Sequence, residues 1–276
     1  MSSITPSDRQ AIVSLCEKHH DTYHRKSDFR QCITYKSYFI KYDSHKSLRF
    51  QYETQKYIYN MTLNDPHAPR VPEVIDYFVV DGRMAYLVME FIDATSPADD
   101  AYEKVAAAVQ WLSEVQVPPD VVIGSVGGGP ASHKLFKDHE APLLFSSKHA
   151  LEAYMNRALE WLPRPLSPDI HKPAPINFTT DKLFFTQSDM DKSNFMLDKN
   201  GKVCMIDFEA VVVLPESLAC YTLHATWDPF VRKVGECLDW TQSPNRKSMG
   251  RAGEILHMSS DRTLGLDKDG HFRASS

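Results

Sequence analysis

Residues 31–42, QCITYKSYFIKY, are rich in β-branched and aromatic side chains, which predicts one or two strands with Lys41 at the end of the second. The period then changes. From Ser44 to Met61 the apolar positions Leu48, Tyr52, Tyr57 and Tyr59, with few breakers between them, predict a helix that carries Glu53. A turn containing Pro66 and Pro69 follows. Beyond it, VIDYFVVDGRMAYLVMEFID places Asp81-Gly82 between two apolar runs, the pattern of a β-hairpin. The first ninety residues therefore read as a small antiparallel sheet with one helix.

Past Ile92 the pattern turns helical. Val105, Val109, Leu112 and Val115 define one amphipathic face, and Leu151, Met155, Leu159 and Leu162 define another. Gly127-Gly128-Gly129-Pro130, between them, lacks a following Lys-Ser/Thr pair and leads from no obvious strand into a helix, so it reads as a loop. Residues 163–175, with five prolines, read as a loop too. A last long helical stretch is expected from Glu216 to Trp240, then a final helix and a loosely ordered tail. The expectation is an α+β chain with two parts, 1–92 and 93–276.

Composition narrows the classes of function. The 276 residues are 42% hydrophobic, enough for a substantial core, and 31 basic against 36 acidic residues give a net charge of -5. That balance argues against nucleic acid or an anionic membrane surface as the main partner. Five cysteines, Cys16, Cys32, Cys204, Cys220 and Cys237, are widely spaced and form no CxxC pair, which predicts reduced thiols. No window approaches the twenty apolar residues of a membrane span, so a cytoplasmic location is expected. The twelve histidines show no HExxH spacing, and no GxSxG elbow occurs.

The chemistry concentrates in one stretch. FTQSDMDKSNFMLD, residues 185–198, precedes a hairpin through Lys199-Asn200-Gly201 and a second run ending MIDFEA. With Asn200-Gly201 as a two-residue turn, opposed positions sum to 401, and Asn194 is expected to face Asp207. An amide oxygen and a carboxylate so opposed can share a cation, and magnesium, which takes one or two protein oxygens, suits the pair. Asp189, just outside the strand, is then placed to accept a proton from an attacking hydroxyl.

Asp189-x-x-x-x-Asn194 followed by Asp207-Phe208-Glu209 resembles the catalytic loop and metal-binding motif of the aminoglycoside phosphotransferase family, and the wider stretch is similar to a fungal branch of it. The resemblance covers about residues 31–240. It implies a bilobal, protein-kinase-like fold that moves the γ-phosphoryl group of ATP to a hydroxyl or amine of a small molecule. Asp189 would be the base, and Asn194 and Asp207 the magnesium ligands. Lys41 is similar in position to the strand lysine that contacts the α- and β-phosphates, and Glu53 to the helix glutamate that pairs with it. YLVMEFID is similar to the hinge, where backbone groups near Glu90 and Ile92 would hold adenine.

Three features depart from the family pattern. Gln187-Ser188-Asp189 stands where the family has His-Gly-Asp, residues 1–41 contain no glycine for a phosphate-covering turn, and Lys41 is only twelve residues from Glu53. A second reading, a pseudokinase acting as a binding or scaffold protein, therefore stands beside the first. The acceptor is expected on the helical part, where Asp228 or Glu216 near Trp227 and Tyr221 would suit a cationic ligand; on their own residues those aromatics read as core.

Overall fold

A computed structural model describes residues 4–95, 101–163 and 172–273. Strands β1 (Cys32–Tyr35) and β2 (Tyr38–Ser44) form a hairpin closed by Lys36 and Ser37. Alternation along β2 sorts its side chains. Tyr38, Ile40 and Tyr42 pack on one face with Ile12 and Cys16, while Phe39 packs on the other with Leu48, Leu87 and Met89. The two-residue period puts Lys41 on the face of Phe39. Strands β3 (Val74–Val80) and β4 (Met84–Glu90), joined through the expected Asp81-Gly82 turn, complete an antiparallel sheet of order β1-β2-β4-β3.

Helix α2 (His45–Thr62) leaves β2 directly, because Ser44 Oγ accepts the Ser47 N–H at 3.2 Å and so caps the first turn. Its buried stripe is Leu48, Gln51, Thr54, Gln55 and Ile58, spaced by three and four. Three of these five are polar, and each has a partner: Gln55 Nε2 donates to the Pro72 carbonyl at 3.0 Å, Thr54 Oγ1 accepts the Val126 N–H at 3.2 Å, and Gln51 meets Lys41.

A second helix, α1 (Pro6–Tyr23), precedes the sheet, where one helix was expected. Thr5 Oγ1 accepts the Asp8 N–H and Asp8 Oδ2 accepts the Thr5 N–H, both at 3.1 Å, and Pro6 occupies the first turn. Only Ile12 and Cys16 of its 18 residues are buried, a stripe too sparse for periodicity to reveal. The helix covers the outer face of the sheet, fastened by Arg9, which holds both oxygens of Asp76 at 2.7 Å.

The second lobe is mainly helical: α3 (Tyr102–Glu114), α4 (Lys148–Glu160), α5 (Glu216–His224), α6 (Pro229–Cys237) and α7 (Arg246–Met258). Two small antiparallel sheets lie among them. One contains β5 (Ala94–Thr95), β7 (Phe195–Asp198) and β8 (Val203–Met205); the other pairs β6 (Leu183–Gln187) with β9 (Val211–Pro215). The architecture is α+β and bilobal.

The chain after Glu216 also departs from expectation. The single helix over 216–240 is two, because Asp228 Oδ1 accepts the N–H groups of Phe230 and Val231 at 2.7 and 3.3 Å and Pro229 opens a new first turn. The tail is not loose: Leu264 and Leu266 are buried in the core built by α4 and α7. Most of the proline-rich loop at 163–175 lies outside the described residues. All five cysteines are free thiols, and among the described residues no helix is long and apolar enough to cross a membrane.

Candidate active site

Strand β6 delivers Gln187 to the floor of the cleft, almost fully buried. Its amide serves two residues at once: Oε1 accepts the Asp189 N–H at 3.2 Å, and Nε2 donates to the Asp207 carbonyl at 3.1 Å. The bridging task needs a donor and an acceptor, which a side-chain amide supplies without an ionisable ring. Asp189 is held from two further sides. Asp191 N–H donates to its Oδ1 at 3.2 Å, and Asn194 Nδ2 donates to its Oδ2 and its carbonyl, both at 3.1 Å.

The register of the hairpin differs from the expected one. Phe195 opposes Met205, Met196 opposes Cys204 and Leu197 opposes Val203, so opposed positions sum to 400 and Asn194 lies across from Ile206. Asp198 makes the difference. Its Oδ1 accepts the N–H groups of Asn200 and Lys202 at 2.8 and 2.9 Å, and its carbonyl accepts the Gly201 N–H at 2.8 Å. That spreads the turn over Lys199, Asn200 and Gly201, with Gly201 left-handed at φ 72°. An extended residue after Ile206 would point away from Asn194, yet Asp207 takes φ 60° and ψ 80°, a conformation uncommon for a residue with a Cβ. This twist returns its side chain to the cleft.

Lys41 reaches the same place from the other lobe. Its Nζ donates to Asp207 Oδ1 at 2.8 Å and lies 3.4 Å from Gln51 Oε1. The expected Lys41–Glu53 pair is not formed. Glu53, two residues past Gln51, points from a different side of α2, and its stem lies against Gly127. Glu90 ends β4, with its carboxylate paired to Arg70 and its N–H given to the Glu73 carbonyl at 2.9 Å. Ile92 lies half-buried in the segment after β4.

Asp189, Asn194 and Asp207 line one cavity of about 550 Å³ between the lobes, together with Ser44, Lys46 and Ser47 from the start of α2, and Glu209. Lys41, Glu53, Glu90 and Ile92 do not line it. Withdrawal from water and the nearby Asp207 carboxylate raise Glu209 above the ordinary carboxylate range. The glycine loop forms the outer wall. Gly127 and Gly129 pack on Glu53 and Phe50, and Ser125 and Pro130 border the cavity.

A second cavity, about 260 Å³, begins at Asp189 and runs into the helical lobe past Ser188, Asp191, Lys134 and Asp228. The Ser188 hydroxyl is buried there with no hydrogen-bond partner among the described residues. Burial lowers Lys134 to about 8, and its Nζ is held by the Thr222 and Ala225 carbonyls at 3.0 and 2.8 Å. His133 behind it is driven by burial to about 3 and is neutral. Leu135 N–H donates to its Nδ1 at 3.2 Å, which places the proton on Nε2, where Leu218 O and Thr222 Oγ1 lie at 3.1 and 2.9 Å. Sequence reading missed Gln51, Ser188 and Lys134. For Gln51 the signal was present, since it shares the three-and-four spacing of Leu48, Gln55 and Ile58.

The donor set fits a magnesium ion. With Asn194 Nδ2 turned to Asp189 and Asp207 Oδ1 on Lys41, Asn194 Oδ1 and Asp207 Oδ2 accept no hydrogen bond among the described residues. Two protein oxygens opening on a cavity suit an ion that fills its remaining positions with water and phosphate. Among the described residues no group of three His, Cys, Asp or Glu could hold a metal.

No protein-family model matches the chain, and no curated protein matches it. Solved structures similar to it include the apo form of a thermostable mutant of aminoglycoside phosphotransferase APH(4)-Ia, 10% identical over 87% of this chain and 89% of the other, with a TM-score of 0.49. The GDP complex of aminoglycoside 2'-phosphotransferase-IIIa is 10% identical over 89% and 87%, with a TM-score of 0.48. Aminoglycoside phosphotransferase APH(3'')-Id from Streptomyces rimosus, in complex with ADP and streptomycin, is 16% identical over 81% and 88%, with a TM-score of 0.44.

Proposed function

We propose that the chain is a small-molecule kinase that transfers the γ-phosphoryl group of ATP to a hydroxyl or amine. One observation carries the reading: Asp189, Asn194 and Asp207 open on a single cavity, with Lys41 bonded to Asp207 from the opposite lobe. A structural role for any one of these residues explains its own position but not their convergence.

ATP would lie between the lobes, its adenine against the backbone of residues 90–92 and its phosphates toward Lys41. Magnesium, when bound by Asn194 and Asp207, supplies the charge that neutralises the phosphates. The acceptor would enter by the second cavity, which ends on Asp189. As the acceptor oxygen forms its bond to γ-phosphorus, the bond from phosphorus to the β-bridging oxygen breaks. ADP leaves with that electron pair, and the acceptor's proton passes to Asp189. The hydrogen bonds from Asp191 and Asn194 fix the carboxylate before the acceptor arrives, which is the positioning this reaction class depends on. Ser188 and the carboxylates of Asp191 and Asp228 would orient a polar acceptor.

The pseudokinase reading keeps one observation on its side: no glycine-rich turn precedes Lys41, and the β1–β2 connection is the two residues Lys36 and Ser37. A thermal-shift titration separates the two. ATP with magnesium should stabilise the parent, and Asp207→Ala should abolish the metal-dependent part. Asp189→Asn should keep that stabilisation and lose phosphotransfer. A parent unmoved by millimolar ATP with magnesium would leave the binding-protein reading in possession.

A further inference from the structure

We propose that Gln51 is the positioning residue for Lys41, a neutral amide working where a helix carboxylate was expected; this rests on the nucleotide-binding reading above. Lys41 projects from the cleft face of β2, and the residue of α2 that meets it must belong to the buried stripe Leu48, Gln51, Gln55, Ile58. Glu53 is out of phase with that stripe by two residues. Gln51 is in phase, 4% exposed, with Oε1 3.4 Å from Lys41 Nζ.

The amide's other end strengthens the assignment. Gln51 Nε2 is buried with no hydrogen-bond partner among the described residues. Leu or Met would fill the same volume without an unpaired N–H, so stability alone favours an apolar side chain here. What Gln offers that they cannot is the acceptor oxygen on Lys41. Its polar neighbours on the stripe serve the frame instead, Thr54 binding the glycine loop and Gln55 the Pro72 carbonyl.

A neutral partner also changes how the lysine's charge is shared. Among the described residues, Asp207 is the one carboxylate paired with Lys41. A glutamate on α2 would claim part of that charge permanently. An amide holds the ammonium in place and leaves its charge to Asp207 and to the phosphates.

The test is isothermal titration of the full chain with magnesium-ATP and, separately, with adenosine, which has no phosphate for Lys41 to meet. Gln51→Met should raise the dissociation constant for magnesium-ATP about tenfold, the loss of one hydrogen bond to a charged group, and leave that for adenosine unchanged. Gln51→Glu, which restores an acceptor, should bind magnesium-ATP within about threefold of the parent by the same reasoning. If Gln51→Met does not fold, Gln51→Asn, too short to reach Lys41, should show the same split between the two ligands. Unchanged ATP affinity in these variants, or equal losses for ATP and adenosine, overturns the assignment. A parent that binds no magnesium-ATP overturns the nucleotide reading itself, a separate result.

Discussion

Lys41 Nζ and Asp207 Oδ1 stand 2.8 Å apart although 166 residues separate them in the chain. The pair is partly exposed, and ion pairs of that kind contribute only ~0–1 kcal/mol to folding. Its worth lies in tying a cation of the first lobe to an acid that lines the cavity between the lobes. Lys41→Met is therefore expected to change the unfolding free energy by less than about 1 kcal/mol while weakening magnesium-ATP binding by ~2 kcal/mol, roughly 30-fold. Urea unfolding and calorimetric titration of the same preparation check both halves. A variant that loses stability and keeps its affinity would make the pair a structural strut.

Gln187 does the opposite kind of work. Its two hydrogen bonds join the residue proposed as base to the residue proposed as metal ligand, and its own side chain is almost fully buried. Gln187→Met would leave the Asp189 N–H and the Asp207 carbonyl unpaired, at ~1–3 kcal/mol for each group. It would also remove the bond that holds Asp207 at positive φ. The expected outcome is a fall of ~2–4 kcal/mol in unfolding free energy together with loss of the magnesium-dependent part of ATP stabilisation. Loss of stability alone, with the metal effect intact, would show that Asp207 keeps its twist without the amide.

Much of this site could be read before the fold was seen, and the failures have physical causes. That Asp189, Asn194 and Asp207 would converge was legible in their spacing around the hairpin, and Lys41 in its place in motif order; the structure brings the three onto one cavity and Lys41 onto Asp207. The register differs by one from that of a two-residue Asn-Gly turn because the Asp198 carboxylate captures two turn amides and widens the loop to three residues. Glu53 has the charge and the place in motif order, but the face of the helix, which decides contact, points to Gln51. Helix α1 hides its apolar stripe in two residues, though Thr5-Pro6-Ser7-Asp8 already spelled a capped first turn. The break at Asp228-Pro229 was equally visible as an N-cap followed by proline.

The buried imidazole of His133 ties stability to pH. Its folded value of about 3 lies below the ordinary 6.5, so the folded state resists protonation that the unfolded chain accepts. The sign follows: this contribution is complete above about pH 6.5 and is lost progressively as pH falls toward 3. At pH 5 the parent should have lost about 2 kcal/mol from this group relative to pH 7.5. In His133→Gln, which keeps a neutral donor toward Leu218 and Thr222, that portion of the pH dependence should vanish. Parallel stability curves for parent and variant between pH 5 and 7.5 would mean that the imidazole is hydrated in the folded state.

The segment 124–130, which ends in the glycine loop, bridges the two lobes, and Gly124 at its start has the tightest surroundings. Gly124 exchanges hydrogen bonds with Val213 of β9 at 3.0 and 2.8 Å, and two residues on, Val126 N–H binds Thr54 of α2 at 3.2 Å. The loop thus braces the helix that carries Gln51 against the strand that follows Asp207. Gly124 has φ 107°, and a Cβ there would lie 2.2 Å from the Gly129 carbonyl oxygen, a backbone atom with no room to retreat. At Gly128 a Cβ would meet nothing within 4 Å. Gly124→Ala should therefore cost ~2–3 kcal/mol of stability and loosen α2, whereas Gly128→Ala should cost only ~1 kcal/mol, the strain of its own positive φ. Hydrogen exchange on α2 is the sharper measurement. Faster exchange at Thr54 and Gln55 in Gly124→Ala alone would establish the brace, and equal behaviour of the two variants would dismiss it.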